Sequence, residues 1–209
     1  MTFHPEALGR LPGSVLRRTG QALREEGFYL GGGTAIAIHL GHRRSVDLDW
    51  FTEAEMDPLA LAARLRSQGI SLVVQGVASG TLNGAISRVR TTFLEYHYPL
   101  LQPLLEWHEY HCALASLDDL ACMKLSAVAQ RGARKDFVDI YALATRHTSL
   151  VSMLELYKEK YGITDTAHVL YGLGYFDEAD REPMPRMLWD LDWRTVKAAL
   201  RQWVLELTR

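Results

Sequence analysis

Two carboxylates one residue apart, Asp47 and Asp49, stand in the run Val46-Asp47-Leu48-Asp49-Trp50-Phe51. In an extended strand residues i and i+2 share a face. The two acids are therefore expected to project together, with Val46, Leu48 and Trp50 behind them. Like charges this close repel unless a cation lies between them. Oxygen donors of this kind suit Mg²⁺, whose shell is normally completed by water and substrate phosphate. Upstream lies Leu30-Gly31-Gly32-Gly33-Thr34. Three residues without Cβ let backbone N–H groups converge on one oxygen cluster. Thr34 is placed to cap the following helix, whose N-terminus favours an anion. Gly32, Gly33 and Thr34 are thus the expected phosphate-binding residues, and Asp47 and Asp49 the expected metal ligands. Singly, a Gly-Gly-Gly turn and an Asp-x-Asp strand edge are ordinary. Together, one short helix apart, they point to phosphoryl or nucleotidyl transfer.

The elements that must position these residues can be read outward from them. Phe28-Tyr29-Leu30 reads as a short strand feeding the turn, and Thr34 to Leu40 as an apolar helix ended by Gly41. The turn lacks the last glycine of G-x-G-x-x-G, where Ile36 stands, so a dinucleotide-binding reading is rejected. His42-Arg43-Arg44-Ser45 forms a loop just before the acids. Arg43 or Arg44 could hold a polyphosphate or an RNA backbone, Ser45 could bond the loop backbone, and His42 reads as structural. Pro5 to Gly27 reads as a helix, with Pro12-Gly13 a point where it could split and Gly27 a C-terminal stop. Pro58 to Gly69 reads as a helix begun by Asp57 with Leu59, Ala62, Ala63 and Leu65 inward. Strands are expected over 70–76, 81–86 and 88–98, with Pro99 and Pro103 ending the sheet. Trp107-His108-Glu109-Tyr110-His111 lacks H-E-x-x-H spacing and reads as an ordinary strand or loop.

Ser116-x-x-Asp119 is a variant capping box opening a helix over 117–132. Lys124 interrupts its apolar faces, and a helix lysine is ordinarily solvated. Gly132 breaks the helix, and another begins near Arg134. Asp136 and Asp139, three apart, share one of its faces. Further helices are expected over 148–161, 164–173 and 193–207, with an acidic surface loop between the last two.

At 209 residues with 48% apolar content and a net charge of −2, the chain fits one large domain or two small ones, and no global basic field announces nucleic acid. Cys112 and Cys122 make no C-x-x-C pair, so neither a zinc site nor a disulfide framework is implied, and a reducing cytoplasm is the expected compartment. No apolar run reaches about 18 residues and no signal peptide is evident, so no membrane association is expected.

From Phe28 to Leu143 the motifs also resemble a known family. Gly-Gly-Thr, an apolar helix, Gly-His-Arg-x-Ser and Asp-Leu-Asp-aromatic-Phe are similar to the AbiEii/AbiGii toxins, nucleotidyltransferases of the polymerase-beta-like superfamily. Arg131-Gly132-Ala133-Arg134-Lys135-Asp136-Phe137-Val138-Asp139-Ile140 resembles that family's Arg-x-x-x-(Lys/Arg)-Asp-Phe-x-Asp-Leu segment. The resemblance implies an α/β (α+β) fold: a small mixed sheet with flanking helices over residues 1–110, then a helical region over 111–209 completing the active-site cleft. It implies an NTP substrate bound by Gly32, Gly33, Thr34, Arg43 and Ser45, Mg²⁺ on Asp47 and Asp49, Lys124 reaching the phosphates, and Asp136 orienting Lys124 or an arginine. Asp139 is expected in a structural ion pair. The superfamily usually adds a third carboxylate on a later strand. Here Thr92 stands near that place, so either Glu95 serves through a bulge or the site has two strand carboxylates. By the same resemblance the acceptor is an RNA end, tRNA first, and the chain is a toxin neutralised by a separate antitoxin. A small-molecule hydroxyl acceptor, and a non-catalytic relative that only binds nucleotide or a partner, are the alternatives.

Overall fold

The strand before the glycine turn is only two residues long, because the chain leaves the sheet at Gly31 to enter a helix. In the computed structural model, which describes residues 2–208, β1 (Tyr29–Leu30) pairs antiparallel with β2 (Leu48–Thr52) and parallel with β7 (Cys112–Leu114). The Gly31 amide donates to the carbonyl of Asp49 (2.9 Å) before the chain turns into α2 (Gly32–Leu40). The glycine turn and the carboxylate strand are therefore tied by the backbone itself. β2 continues parallel to β5 (Val89–Glu95), and β5 is followed outward by β4 (Thr81–Ile86) and β3 (Leu72–Ala78), both antiparallel. β6 (Leu105–Trp107) closes the other edge against β7. The result is one mixed seven-stranded sheet in the order β3-β4-β5-β2-β1-β7-β6.

Helices cover the sheet. α1 (Arg10–Glu25) buries Val15, Leu16 and Leu23 and packs on β7. α2 packs against α4 (Leu117–Gln130) and α5 (Arg134–Arg146). α3 (Pro58–Ser67) lies on β3, and α6 (Leu150–Tyr161), α7 (Ala167–Gly174) and α8 (Trp193–Leu207) complete the helical side. One continuous apolar core runs from Leu16 and Trp50 through Leu125 and Ile140 to Leu200. Among the described residues no helix is long and apolar enough to cross a membrane.

Several sequence expectations shift. α1 runs unbroken through Pro12-Gly13, because Pro12 falls in the first turn, where backbone N–H groups have no intrahelical acceptor; the break comes earlier, at Leu8-Gly9, after a 3₁₀ turn over Pro5–Ala7. Gly27 does stop the helix, with φ +81°. On α3 the inward pair is Leu61 and Leu65, one turn apart, while Leu59 and Ala63 are exposed. Asp57 caps that helix as expected, accepting from the amides of Leu59 and Ala60. Pro99 and Pro103 interrupt the sheet without ending it: β6 and β7 follow, and β7 is an interior strand, one in from the edge. The expected division at residue 110 therefore falls inside the β6–β7 hairpin, and the helical part begins at Leu117. There the Ser116 hydroxyl accepts from the Asp119 amide (3.0 Å), capping the helix, and donates to the Asp119 carboxylate (2.7 Å), which bonds the cap's hydroxyl in place of its backbone N–H. Asp119 also receives the buried Lys160 ammonium of α6 at 2.7 Å, which fastens α6 to the start of α4.

α2 is held at its far end by His39, whose Nε2–H donates to the Ala115 carbonyl at 2.9 Å. Burial pushes this imidazole down to about 4, so it is neutral at pH 7. The unfolded chain, with an ordinary value near 6.5, binds the extra proton first as pH falls. Stability contributed by His39 is therefore full above about 6.5 and lost between about 6.5 and about 4, a total of roughly 3 kcal/mol. Urea melts at pH 7.5, 6 and 4.5 should show this decline, and His39→Gln should flatten it over that interval.

Candidate active site

The glycine turn, the loop after α2 and the start of β2 converge on one open cavity of about 350 Å³. Asp47 and Asp49 line it together, opposite Gly33 and Thr34 at the α2 N-terminus, with Lys124, Arg131 and Lys135 on the helical side. Asp49 lies directly beside Thr92 in the parallel β2–β5 register. Its carboxyl is raised above the usual range, first by burial and then by the neighbouring Asp47 charge; Lys124, Lys135 and the Thr92 hydroxyl pull it back in part. Lys135 Nζ stands 3.8 Å from Asp47 Oδ2.

The glycines are dictated by close packing as much as by access to phosphate. Gly32 has φ +61°, and a Cβ there would sit 2.8 Å from Asp49 Oδ2; a Cβ on Gly33 would sit 2.3 Å from Arg43 Nη2. Gly31, and not Thr34, is the N-cap of α2. Thr34, at the third helical position, is buried, and its hydroxyl joins Ser45 Oγ (2.7 Å) and the Asp47 carbonyl. Thr34 and Ser45 thus fix the backbone that carries Asp47. The strand proper starts at Leu48, so Val46 is exposed and does not lie behind the acids.

Behind the cavity wall lies a buried ionic network. Asp139 on α5 accepts from Arg43 twice, Nε at 2.6 Å and Nη2 at 2.8 Å, and from His42 Nε2 at 2.8 Å; Lys124 Nζ is 3.0 Å away. Arg43 further donates to the carbonyls of Gly33 and Arg44. Asp136 receives Lys124 Nζ at 2.8 Å and a bidentate Arg131 at 2.8 and 3.0 Å. Burial alone would raise Asp139, but Arg43 and Lys124 hold it well below the usual carboxylate range. Burial would likewise lower Lys124, but Asp139 and Asp136 raise it, so it remains an ammonium at neutral pH. Burial keeps His42 low despite Asp139, and the neutral ring donates its Nε2–H. Arg43, Lys124 and Arg131 thus bring three positive charges to two carboxylates, leaving the cavity wall net positive.

Of the residues singled out in the sequence, Asp47, Asp49, Gly33, Thr34, Arg43, Ser45 and Lys124 all line this cavity; Gly32 underlies Asp49, and Asp136 sits behind Lys124. Arg43 and Ser45, grouped with the nucleotide-binding residues, have their polar atoms engaged within the protein; Arg43 braces the glycine turn. Glu95 does not reach the site. The β2–β5 register is continuous from Leu48 to Thr52 without a bulge, which leaves Glu95 beside Thr52, where it accepts from the Met56 amide at 2.6 Å. The strand carboxylates are therefore two. Sequence reasoning gave no phosphate role to Arg131, Lys135 or Arg186. The first two sit four residues apart across the Gly132 break, a spacing that suggests one face. Arg186 comes from the loop before α8 and carries no local signal; it arrives because its carbonyl accepts from the Arg44 amide at 2.8 Å.

A mixed sheet presenting paired aspartates beside a glycine turn and a basic wall defines a nucleotidyltransferase. The family model described as "Nucleotidyl transferase AbiEii toxin, Type IV TA system" matches residues 14–100 and 87–205, and the chain belongs to that family. It is 35% identical over 159 residues to an uncharacterized protein of Aquifex aeolicus (strain VF5), covering 74% of this chain and 76% of that one. Among solved structures it resembles MenT4, a nucleotidyltransferase toxin of Mycobacterium tuberculosis H37Rv, with TM-score 0.63 at 16% identity over 94% of this chain and 82% of that one. A putative nucleotidyltransferase from H. pylori gives TM-score 0.57 at 14% identity over 93% and 92%. ANT(2")-Ia, solved with adenylyl-2"-tobramycin, gives 0.54 at 12% over 72% and 97%. These structural likenesses are of fold.

Removing the central carboxylate leaves buried cations unpaired, a change that typically costs about 3–5 kcal/mol. Asp139→Asn is expected to lower unfolding stability by that order in urea melts, while Lys135→Ala, half exposed, changes it by less than about 0.5 kcal/mol.

Proposed function

We propose that the chain is a Mg²⁺-dependent enzyme that transfers NMP from an NTP to a hydroxyl at an RNA end, with tRNA the first candidate, and that it acts as the toxin of a pair silenced by a separate antitoxin protein. The carrying observation is the placement of Asp47 and Asp49 in one cavity with a positive wall formed by Lys124, Arg131 and Lys135. The donor set fits the metal. Two hard carboxylates, one of them raised by burial and by its neighbour's charge, are relieved by a cation between them, and Mg²⁺ commonly takes one or two protein carboxylates plus substrate phosphate. Asp47 and Asp49 would hold it, and when bound it supplies positive charge to the triphosphate and its leaving pyrophosphate.

The protein's own groups supply the rest. The α2 N-terminal amides and dipole favour an anion beside Gly33. Lys124, fixed between Asp136 and Asp139, presents a permanently charged but immobile ammonium, which is preorganised and needs no rearrangement as charge develops. Arg131 is fixed in the same way by Asp136. Lys135 is the least tightly paired of the three, its nearest carboxylate being Asp47 at 3.8 Å, and it is placed to meet a departing phosphate. The acceptor oxygen bonds to the α-phosphorus as its proton passes to solvent water, the α–β bridging bond breaks, and pyrophosphate departs with the electron pair.

The reading is supported by the family to which the chain belongs and by the likeness to a nucleotidyltransferase toxin. Incubation with each labelled NTP, Mg²⁺ and total bacterial RNA is expected to label an RNA band, and Asp49→Ala to reduce that labelling by more than about 100-fold. Label appearing on an added aminoglycoside and on no RNA would overturn the acceptor. Labelling that persists unchanged in chelator would overturn the metal.

A further inference from the structure

The exposed face of α1 is basic and leads away from the cavity. Between Arg10 and Arg24 the sequence has four arginines and no acid. The helix buries the opposite face through Val15, Leu16 and Leu23, so Arg10, Ser14, Arg17 and Arg18 all point to solvent. These residues line a groove floored by Gly13 and Tyr110. Gly9, at the N-cap of α1, lines both this groove and the active-site cavity, so the two adjoin there.

Not every arginine is available. Arg17 pairs with Glu109 and lies over the Tyr110 ring, and Arg24 pairs with Glu106. Arg10 and Arg18 have no carboxylate partner among the described residues. Arg18 instead reaches Ser87 Oγ at 3.5 Å, in the tight β4–β5 turn where Ser87 and Arg88 both have positive φ. The next exposed cation is Arg88 itself, also without an ion pair among the described residues. β2 and β5 are parallel, so this turn, which feeds β5, lies at the same end of the sheet as Asp47 and Asp49. Arg186 and Arg44 continue the line on the cavity side of Gly9. Cations therefore run from the paired acids, past Gly9, along α1, to a turn at the same sheet end.

A nucleoside triphosphate lying in the cavity would not extend along α1, whereas a phosphodiester chain has a charge at every step and would. We propose that Arg10, Arg18 and Arg88 form the track on which an RNA acceptor lays its backbone while its terminal hydroxyl enters the Asp47/Asp49 cavity. This rests on the RNA-acceptor reading above. The contacts are to phosphates, so the track supplies affinity and direction, while the chosen base or stem is read elsewhere.

The test uses the full chain with Arg10, Arg18 and Arg88 all changed to Ala, exposed positions whose loss should leave the melting curve unchanged. Two quantities are read: binding of fluorescein-labelled bulk tRNA by anisotropy across a salt series, and the KM for NTP and for tRNA in the labelling reaction. The expected result is at least a tenfold weaker tRNA affinity and a correspondingly higher KM for tRNA, with the KM for NTP unchanged. The slope of log affinity against log salt should flatten by about 2, as for three lost contacts to single-stranded phosphates. Wild-type labelling of tRNA with equal affinity, salt slope and KM in the variant would overturn the track and leave the acceptor standing. A wild-type protein that neither binds nor labels tRNA or total RNA would overturn the acceptor reading and the track with it.

Discussion

Asp139, a carboxylate with no access to water, holds Arg43, His42 and Lys124 at one point. These partners come from separate elements: the loop after α2 and the middle of α4. In a medium of low polarizability an unmatched charge is far less tolerable than in water. The loop from Gly41 to Ser45 can therefore adopt few arrangements other than the one that keeps Arg43 on Asp139. Because Arg43 also donates to the Gly33 carbonyl, the same interaction fixes the start of α2. The glycine turn, the basic loop and the helical half are set by one buried anion, and the paired acids follow directly from where that loop ends.

The sheet supplies the other half of the positioning. The Gly31 amide is bonded to the Asp49 carbonyl, so the first turn of α2 and the carboxylate strand cannot drift apart. Thr34, by bonding the Asp47 carbonyl and Ser45, fixes the residue just before the strand begins. The acids are thus presented at a sheet end whose geometry is set by main-chain hydrogen bonds, and the cations by a network behind the wall. The groups lining the site are thus held in place by contacts within the protein. That suits a reaction in which charge is redistributed among phosphate oxygens.

Much of this was legible from local pattern. Both acids line one cavity as the pattern implied, although Asp47 precedes the strand and its backbone is held by Thr34 and not by strand pairing; Gly41 and Asp57 marked helix ends, and Ser116 caps its helix as read. Expectations failed where a distant partner overrode a local signal. Pro99 and Pro103 looked like the end of the sheet, yet β7 inserts between β1 and the edge strand β6, with Leu114 paired to Leu30 on the side away from β2. Leu59 looked inward on α3, but the core contact is made one turn through Leu61 and Leu65. Glu95 was a candidate third acid only while the register of β5 against β2 was unknown.

Local pattern alone was enough for the paired acids, the glycine turn beside them and the helices and strands that carry both, since each depends on residues within a few positions of one another. Which cations face the substrate was decided only by tertiary structure. Arg43 reads as a phosphate ligand, and in the fold its donors are taken by Asp139, 96 residues later, and by two carbonyls. Lys124, expected to reach the phosphates, lines the cavity while buried between Asp136 and Asp139, carboxylates 12 and 15 residues further along the chain. Arg186, with no pattern around it, completes the cavity rim. A charge takes its role from the opposite charges and the water around it, and folding, not spacing along the chain, sets both.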